Sequence, residues 1–131
     1  KCTKCSYCAA TLAPAGVYSI PVLTFAPRSA PVDLVFYSND KFPASYRGGA
    51  FIVRHGTGNK NGYDVVFVPF NRRGVAGPPA VFASGFAAFN SPGNPAERAK
   101  YRPVGVAVGP DGALYVADSQ QGRLWRIAYG E

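Results

Sequence analysis

Three observations predict an all-β chain built from antiparallel meanders. Between Tyr101 and Ile127, β-branched and aromatic residues alternate with a period of two, as at Val104, Val106 and Val108. The apolar runs there are short, and Pro110-Asp111-Gly112 and Gln120-Gln121-Gly122 separate them as turn signals. Third, the chain carries 15 Gly and 12 Pro, a share that is high for a helical protein.

The remaining elements follow in order. Residues 1–20 read as irregular, with Ala13-Pro14-Ala15-Gly16 as a breaker cluster. Pro21–Phe25 reads as a short strand with Pro at its first position. Ala26–Pro31 is a loop, Asp33–Tyr37 a strand and Ser38–Lys41 a turn. Phe42–Tyr46 carries a helical or 3₁₀ turn. Gly49–Arg54 is a strand. Gly56–Gly62 is a loop of Gly and Asn, residues that tolerate positive φ. Tyr63–Phe70 is the strongest strand, turned by Asn71–Gly74, and Ala80–Ser84 follows. Phe86–Arg98 is a polar loop with a short helical turn near Ala96–Ala99. Strands at 104–108, 114–116 and 124–127 complete the chain.

Composition narrows the function. At 131 residues the chain suits one domain, and 47% hydrophobic residues support a packed core. Charged residues are only 16%, so the net charge of +7 reflects few acids rather than many bases. The cations are scattered, with no run longer than Arg72-Arg73, unlike the clustered stripe of a nucleic-acid binder. No apolar run approaches the roughly 18 residues of a membrane span. No signal peptide is visible, and the chain reads as mature or as an internal fragment.

Cys2, Cys5 and Cys8 are spaced C-x-x-C-x-x-C, without the fourth Cys of an iron–sulfur run and without C-x-x-C-H. A disulfide is favoured over a metal site, and an odd count leaves one thiol over. Ser29, His55 and an Asp do not make a hydrolase triad, because no G-x-S-x-G elbow is present. No two acids show the pairing of a glycoside hydrolase. His55 reads as a loop or channel-lining residue satisfied by a backbone hydrogen bond. Asp111 reads as a turn residue and Asp118 as the cap of the following turn. Tyr63, Tyr115 and Trp125 read as core. Arg72, Arg73, Arg123 and Arg126 read as solvated turns and edges.

The phrase PVGVAVGPDGALYVADSQQGRLWRI resembles one blade of a β-propeller, a four-stranded sheet repeated around a channel. With SAPVDLVFYSNDKFPASYRGGAFIVRHGTGNKNGYDVVFVPF and KYRPVGVAV, the chain resembles the C-terminal part of the sorbosone and soluble aldose sugar dehydrogenases. These are six-bladed propellers that use pyrroloquinoline quinone (PQQ). The resemblance implies an all-β partial propeller of about two blades. Residues 1–30 form a cysteine-containing lead-in and the outer strand of a preceding blade. Residues 31–86 form one blade, and residues 87–131 form a loop and a last, incomplete blade.

The resemblance also implies function: part of a PQQ-dependent sugar or aldehyde dehydrogenase, contributing to the cofactor pocket and inactive alone. The family's Arg before the last blade falls on Arg102, with Lys100 as the neighbouring cation. The loop that usually reads HGSWNR is here His55-Gly56-Thr57-Gly58-Asn59-Lys60, so Asn59 and Lys60 are pocket candidates. Arg28 stands where the family has a His before SAP. The family's catalytic base and calcium ligands belong to earlier blades, so calcium is expected in the whole enzyme but not from this chain. The expected partners are the remaining blades, on the same or another chain, and a small sugar or aldehyde. The location implied is periplasmic or secreted, with no membrane span. The alternative is a non-catalytic propeller fragment serving assembly or ligand binding.

Overall fold

The computed structural model describes residues 21–58, 61–89 and 98–130. Seven strands form among them. β1 (Pro31–Phe36), β2 (Ala50–Arg54), β3 (Asp64–Val68) and β4 (Ala80–Ala83) make one sheet in the order β1-β2-β3-β4. β5 (Pro103–Val108), β6 (Leu114–Asp118) and β7 (Leu124–Ile127) make the other. Every pairing is antiparallel. A single 3₁₀ turn, Ala44–Tyr46, interrupts the β1–β2 connection, as the sequence leads one to expect. The two meanders bear out the all-β reading and are consistent with a partial propeller-like arrangement.

The sheets stack with β5 across β1 and β2. Alternation decides what lies between them. Phe51 and Val53 on β2, and Val65 and Phe67 on β3, face inward and meet Leu114 and Val116 on β6. Val106, Val108, Trp125 and Ile127 pack around that cluster. Within the cluster, Phe51, Val53, Val65, Leu114 and Val116 are fully buried, each contributing roughly 1.5–3 kcal/mol. Aromatic rings carry much of the load: Phe51 lies edge-on to Tyr37, Phe42 and Phe82, and stacks on Tyr46.

The opposite face of the first sheet holds a smaller cluster of Ala50, Ile52, Val66 and Val68. Leu23, Phe25 and Phe70 lie against it. On the same face, by register, Leu34, Phe36 and Val81 remain more than half exposed. No helix among the described residues is long and apolar enough to cross a membrane.

Four expectations are corrected. Pro21–Phe25 is not a strand. Pro21 lacks a donor for a ladder, and Phe25 instead docks its ring under the Arg54 guanidinium at 5.3 Å. Phe86, expected to open a polar loop, is buried and packs edge-on against Trp125 at 5.0 Å. Tyr115 is not in the core between the sheets: its ring lies on the outer face of β6, and its hydroxyl donates to Asp111 at 3.2 Å. The expected disulfide is also withdrawn. Among the described residues no cysteines stand at disulfide-bonding distance, and Cys2, Cys5 and Cys8 lie outside those residues. The helical turn expected near Ala96–Ala99 falls largely outside the described residues as well.

Candidate functional site

At one end of the stacked sheets, three loops converge. The first is the lead into β1, where Arg28 and Ala30 take positive φ of 67° and 47°. Such φ values are uncommon outside glycine, and they point a run of carbonyls at the next loop. The Ala30, Ser29 and Arg28 carbonyls accept, in turn, from the backbone N–H groups of His55, Gly56 and Thr57 at 2.9–3.0 Å. The Thr57 hydroxyl also donates to the Arg28 carbonyl, at 3.1 Å. The second loop, β2–β3, is thereby laced to the first. Its closure requires glycine: Gly62 sits at φ 86°, and a Cβ there would lie 2.6 Å from the Ser29 carbonyl oxygen. Tyr63 follows at φ 62°, buried, and its hydroxyl accepts from the Gly58 N–H at 2.9 Å.

The third loop set comes from the other sheet. Arg102 immediately precedes β5, and Asp118 ends β6. One carboxylate oxygen of Asp118 accepts from the Arg102 N–H at 2.6 Å and the Gln120 N–H at 3.0 Å, and the other accepts from the Gln121 N–H at 2.8 Å. The predicted cap is therefore present, and it also fixes the backbone of Arg102. The Ser119 N–H donates to the Arg102 carbonyl at 3.0 Å.

Between these loops, side chains of the two sheets meet. Arg102 Nη2 donates to the Gly56 carbonyl at 3.2 Å, and its guanidinium lies 5.6 Å from the centre of the Tyr63 ring. His55 Nδ1 lies 3.2 Å from the same carbonyl, and Nε2 lies 3.1 Å from Ser119 Oγ. A carbonyl can only accept, so Nδ1 carries the proton and Nε2 is left as the acceptor for the serine hydroxyl. Ser119 Oγ is also 3.4 Å from the Arg102 carbonyl. His55, Gly56, Arg102 and Ser119 thus close a ring of polar contacts across the seam. Burial, then the Arg102 charge, lowers the His55 pKa below its ordinary 6.5, against the Gly56 bond and Asp118, which raise it. The backbone hydrogen bond expected for His55 is present; its link to Ser119 is new.

Among the described residues, no carboxylate lies at ion-pair distance from the Arg102 guanidinium. The other cationic candidates are placed differently. Arg28 joins the cluster through its carbonyl and is exposed. Lys100 lies apart: its Nζ sits 5.4 Å from the centre of the Tyr101 ring, which the Arg123 guanidinium also approaches, at 4.7 Å. Asn59 and Lys60 lie outside the described residues. No three of His, Cys, Asp and Glu gather as a metal site among the described residues. The sequence did not single out Ser119, because a serine after a turn-capping Asp is ordinary. Only the pairing of β5 with β6 brings it back to His55.

No curated protein and no solved structure matches this chain. The family model described as TrAA12-like matches residues 5–130, nearly the whole chain, and the chain belongs to that family.

Proposed function

We propose that this chain is the C-terminal part of a PQQ-dependent sugar or aldehyde dehydrogenase of propeller architecture, supplying cations of the cofactor pocket and inactive without the other blades. The observation that carries this reading is the Arg102 guanidinium. It is oriented by Gly56 and Tyr63 and has no carboxylate partner among the described residues. PQQ is a planar tricarboxylate, and a guanidinium offers a flat two-pronged fork suited to carboxylate. The donor set therefore fits an anion of that kind.

Arg102 would hold a carboxylate, with Arg28 beside the same loop. Lys100, Asn59 and Lys60 are further candidates from the resemblance to the sugar dehydrogenases. Bound PQQ supplies a quinone carbonyl that accepts hydride from the substrate carbon. The work of this chain is to bind and orient that anion and to hold the seam closed beneath it. Calcium and the proton-accepting base belong to other blades in this reading, and the location is periplasmic or secreted.

The test is a PQQ titration of the protein with all its blades, followed by calorimetry, with Arg102→Ala alongside. Removing one charge-assisted contact is expected to weaken binding by roughly tenfold or more. Unchanged affinity in the variant sinks the assignment of Arg102. If PQQ does not bind at all, the alternative stands, a propeller segment for assembly or for another ligand.

A further inference from the structure

The ring around the Gly56 carbonyl contains one group that can change its charge near neutrality. We propose that His55 is a proton-coupled positioning residue of the Arg102 site: neutral, it braces Arg102 from beneath, and protonated, it adds a second cation for a polycarboxylate ligand. The inference rests on reading Arg102 as an anion-binding group.

The geometry provides for both states. In the neutral ring, Nδ1–H is engaged by the Gly56 carbonyl, the same oxygen that accepts from Arg102 Nη2. Two donors on one carbonyl hold the guanidinium and the imidazole side by side. Nε2 faces Ser119 Oγ, whose hydroxyl can donate to the neutral ring or turn toward the Arg102 carbonyl. Protonation at Nε2 therefore needs only a rotation of that hydroxyl, which then accepts instead of donating. No element has to move.

Among the described residues, the charged groups near His55 are few, and Arg28, on the loop laced to its own, is exposed. Arg102, at the head of β5, opposes protonation, and Asp118, at the end of β6, favours it. Asp118 is itself engaged by backbone N–H groups. At the end of β2, the neighbouring Arg54 is tied to Asp64 by Nε–Oδ1 at 2.8 Å. Tyr63 and Thr57 bring no charge. The balance is thus held down by Arg102 and by burial, and a bound polyanion offsets the Arg102 charge. Anion binding then takes up a proton, and by linkage the affinity rises as pH falls.

His55 is the sole histidine of these 131 residues, and its ring signal in the protein with all its blades is assigned by its loss in His55→Gln. Its pKa is to be followed by NMR in that protein with and without benzene-1,3,5-tricarboxylate, and with PQQ. A rise of about one pKa unit on adding the anion is expected, with roughly tenfold tighter binding at pH 5 than at pH 7.5. In His55→Gln, which keeps a donor and an acceptor, binding should persist and lose its pH dependence. A pKa that does not respond to the anion overturns the proposal, as does a pH slope retained in the variant. Binding of the simple tricarboxylate but not PQQ, with the pH slope intact, leaves the proposal standing and removes the cofactor assignment. Tricarboxylate binding that survives Arg102→Ala removes the anion site itself and the proposal with it.

Discussion

Tyr37 donates its hydroxyl proton to the carbonyl of Gly112 at 2.9 Å, joining the first sheet to the β5–β6 turn of the second. The Tyr37 hydroxyl oxygen in turn accepts from the Phe42 N–H at 3.0 Å, and the Tyr37 side chain is fully buried. Gly112 answers with φ 77°, a conformation that keeps its carbonyl accessible in the turn. Tyr37→Phe preserves the ring packing but leaves a buried donor and a buried acceptor without their partner. A loss of roughly 1–3 kcal/mol is expected. Equilibrium urea unfolding measures it, and an unchanged midpoint would show that the seam does not depend on this bond.

Asp33 makes a second link across the seam. The register shift between Pro31 and Asp33 turns its carboxylate toward β5, where Oδ2 accepts from the Val106 N–H at 2.8 Å. Its other oxygen accepts from the Leu34 N–H at 2.9 Å. Asp33→Ala should lower stability by about 1 kcal/mol, the usual worth of such a bond at an exposed position. Hydrogen exchange at Val106 gives the local readout, with faster exchange expected in the variant.

Two ion pairs among the described residues should behave oppositely. Arg54 and Asp64 are mostly buried at the end of the β2–β3 ladder, and Phe25 covers the guanidinium. Asp64→Ala strands that charge, and a loss of roughly 3–5 kcal/mol is expected. Asp111 and Arg126 form an exposed pair at 2.8 Å, and Asp111→Asn, which removes the charge but keeps an acceptor for the Ala113 N–H and the Tyr115 hydroxyl, should change stability by less than about 1 kcal/mol.

Acid should loosen the Arg102 end of the seam first. Burial opposes ionisation of Asp118, but backbone N–H bonds from Arg102, Gln120, Gln121 and Arg123 prevail and hold its pKa below the ordinary 3.8. A carboxylate depressed on folding stabilises the native state above the unfolded value and loses that contribution as pH falls through the folded one. His55, depressed below 6.5, acts in the same direction over a higher window: its contribution is complete above 6.5 and declines as pH falls toward its folded value. Asp118→Asn should flatten the stability profile below about pH 4, and His55→Gln should flatten it below pH 6.5, without an anion present. Thermal melts across pH 3–8 distinguish the two.

The strands were legible because period-two alternation and turn chemistry act locally. Val65 and Phe67 must face one way and Val66 and Val68 the other, whatever the neighbours are. The segment around Pro21–Phe25 was misread because an apolar pentapeptide looks alike as a strand and as a cover for a sheet face; only the available partner decides. Tyr115 was misread for a related reason: the sequence gives alternation but not which face meets the other sheet. Around the His55 ring, Arg102 stands where the family resemblance put a cation. The ring of contacts through Gly56 and Ser119 was not legible, since it joins residues 64 positions apart and depends on positive φ at Arg28, Ala30 and Tyr63 that no β-branched pattern announces.

The Arg102 site draws its carbonyl from one sheet and its guanidinium from the other, so it exists only while the seam is shut. In the proposed reading of Arg102 as an anion-binding group, occupancy and closure are therefore one equilibrium viewed from two sides. A ligand held there acts as a clasp, slowing exchange at Tyr37 and Val106 far along the same seam. Substitutions that never touch the ligand, Tyr37→Phe among them, would then register as weaker binding.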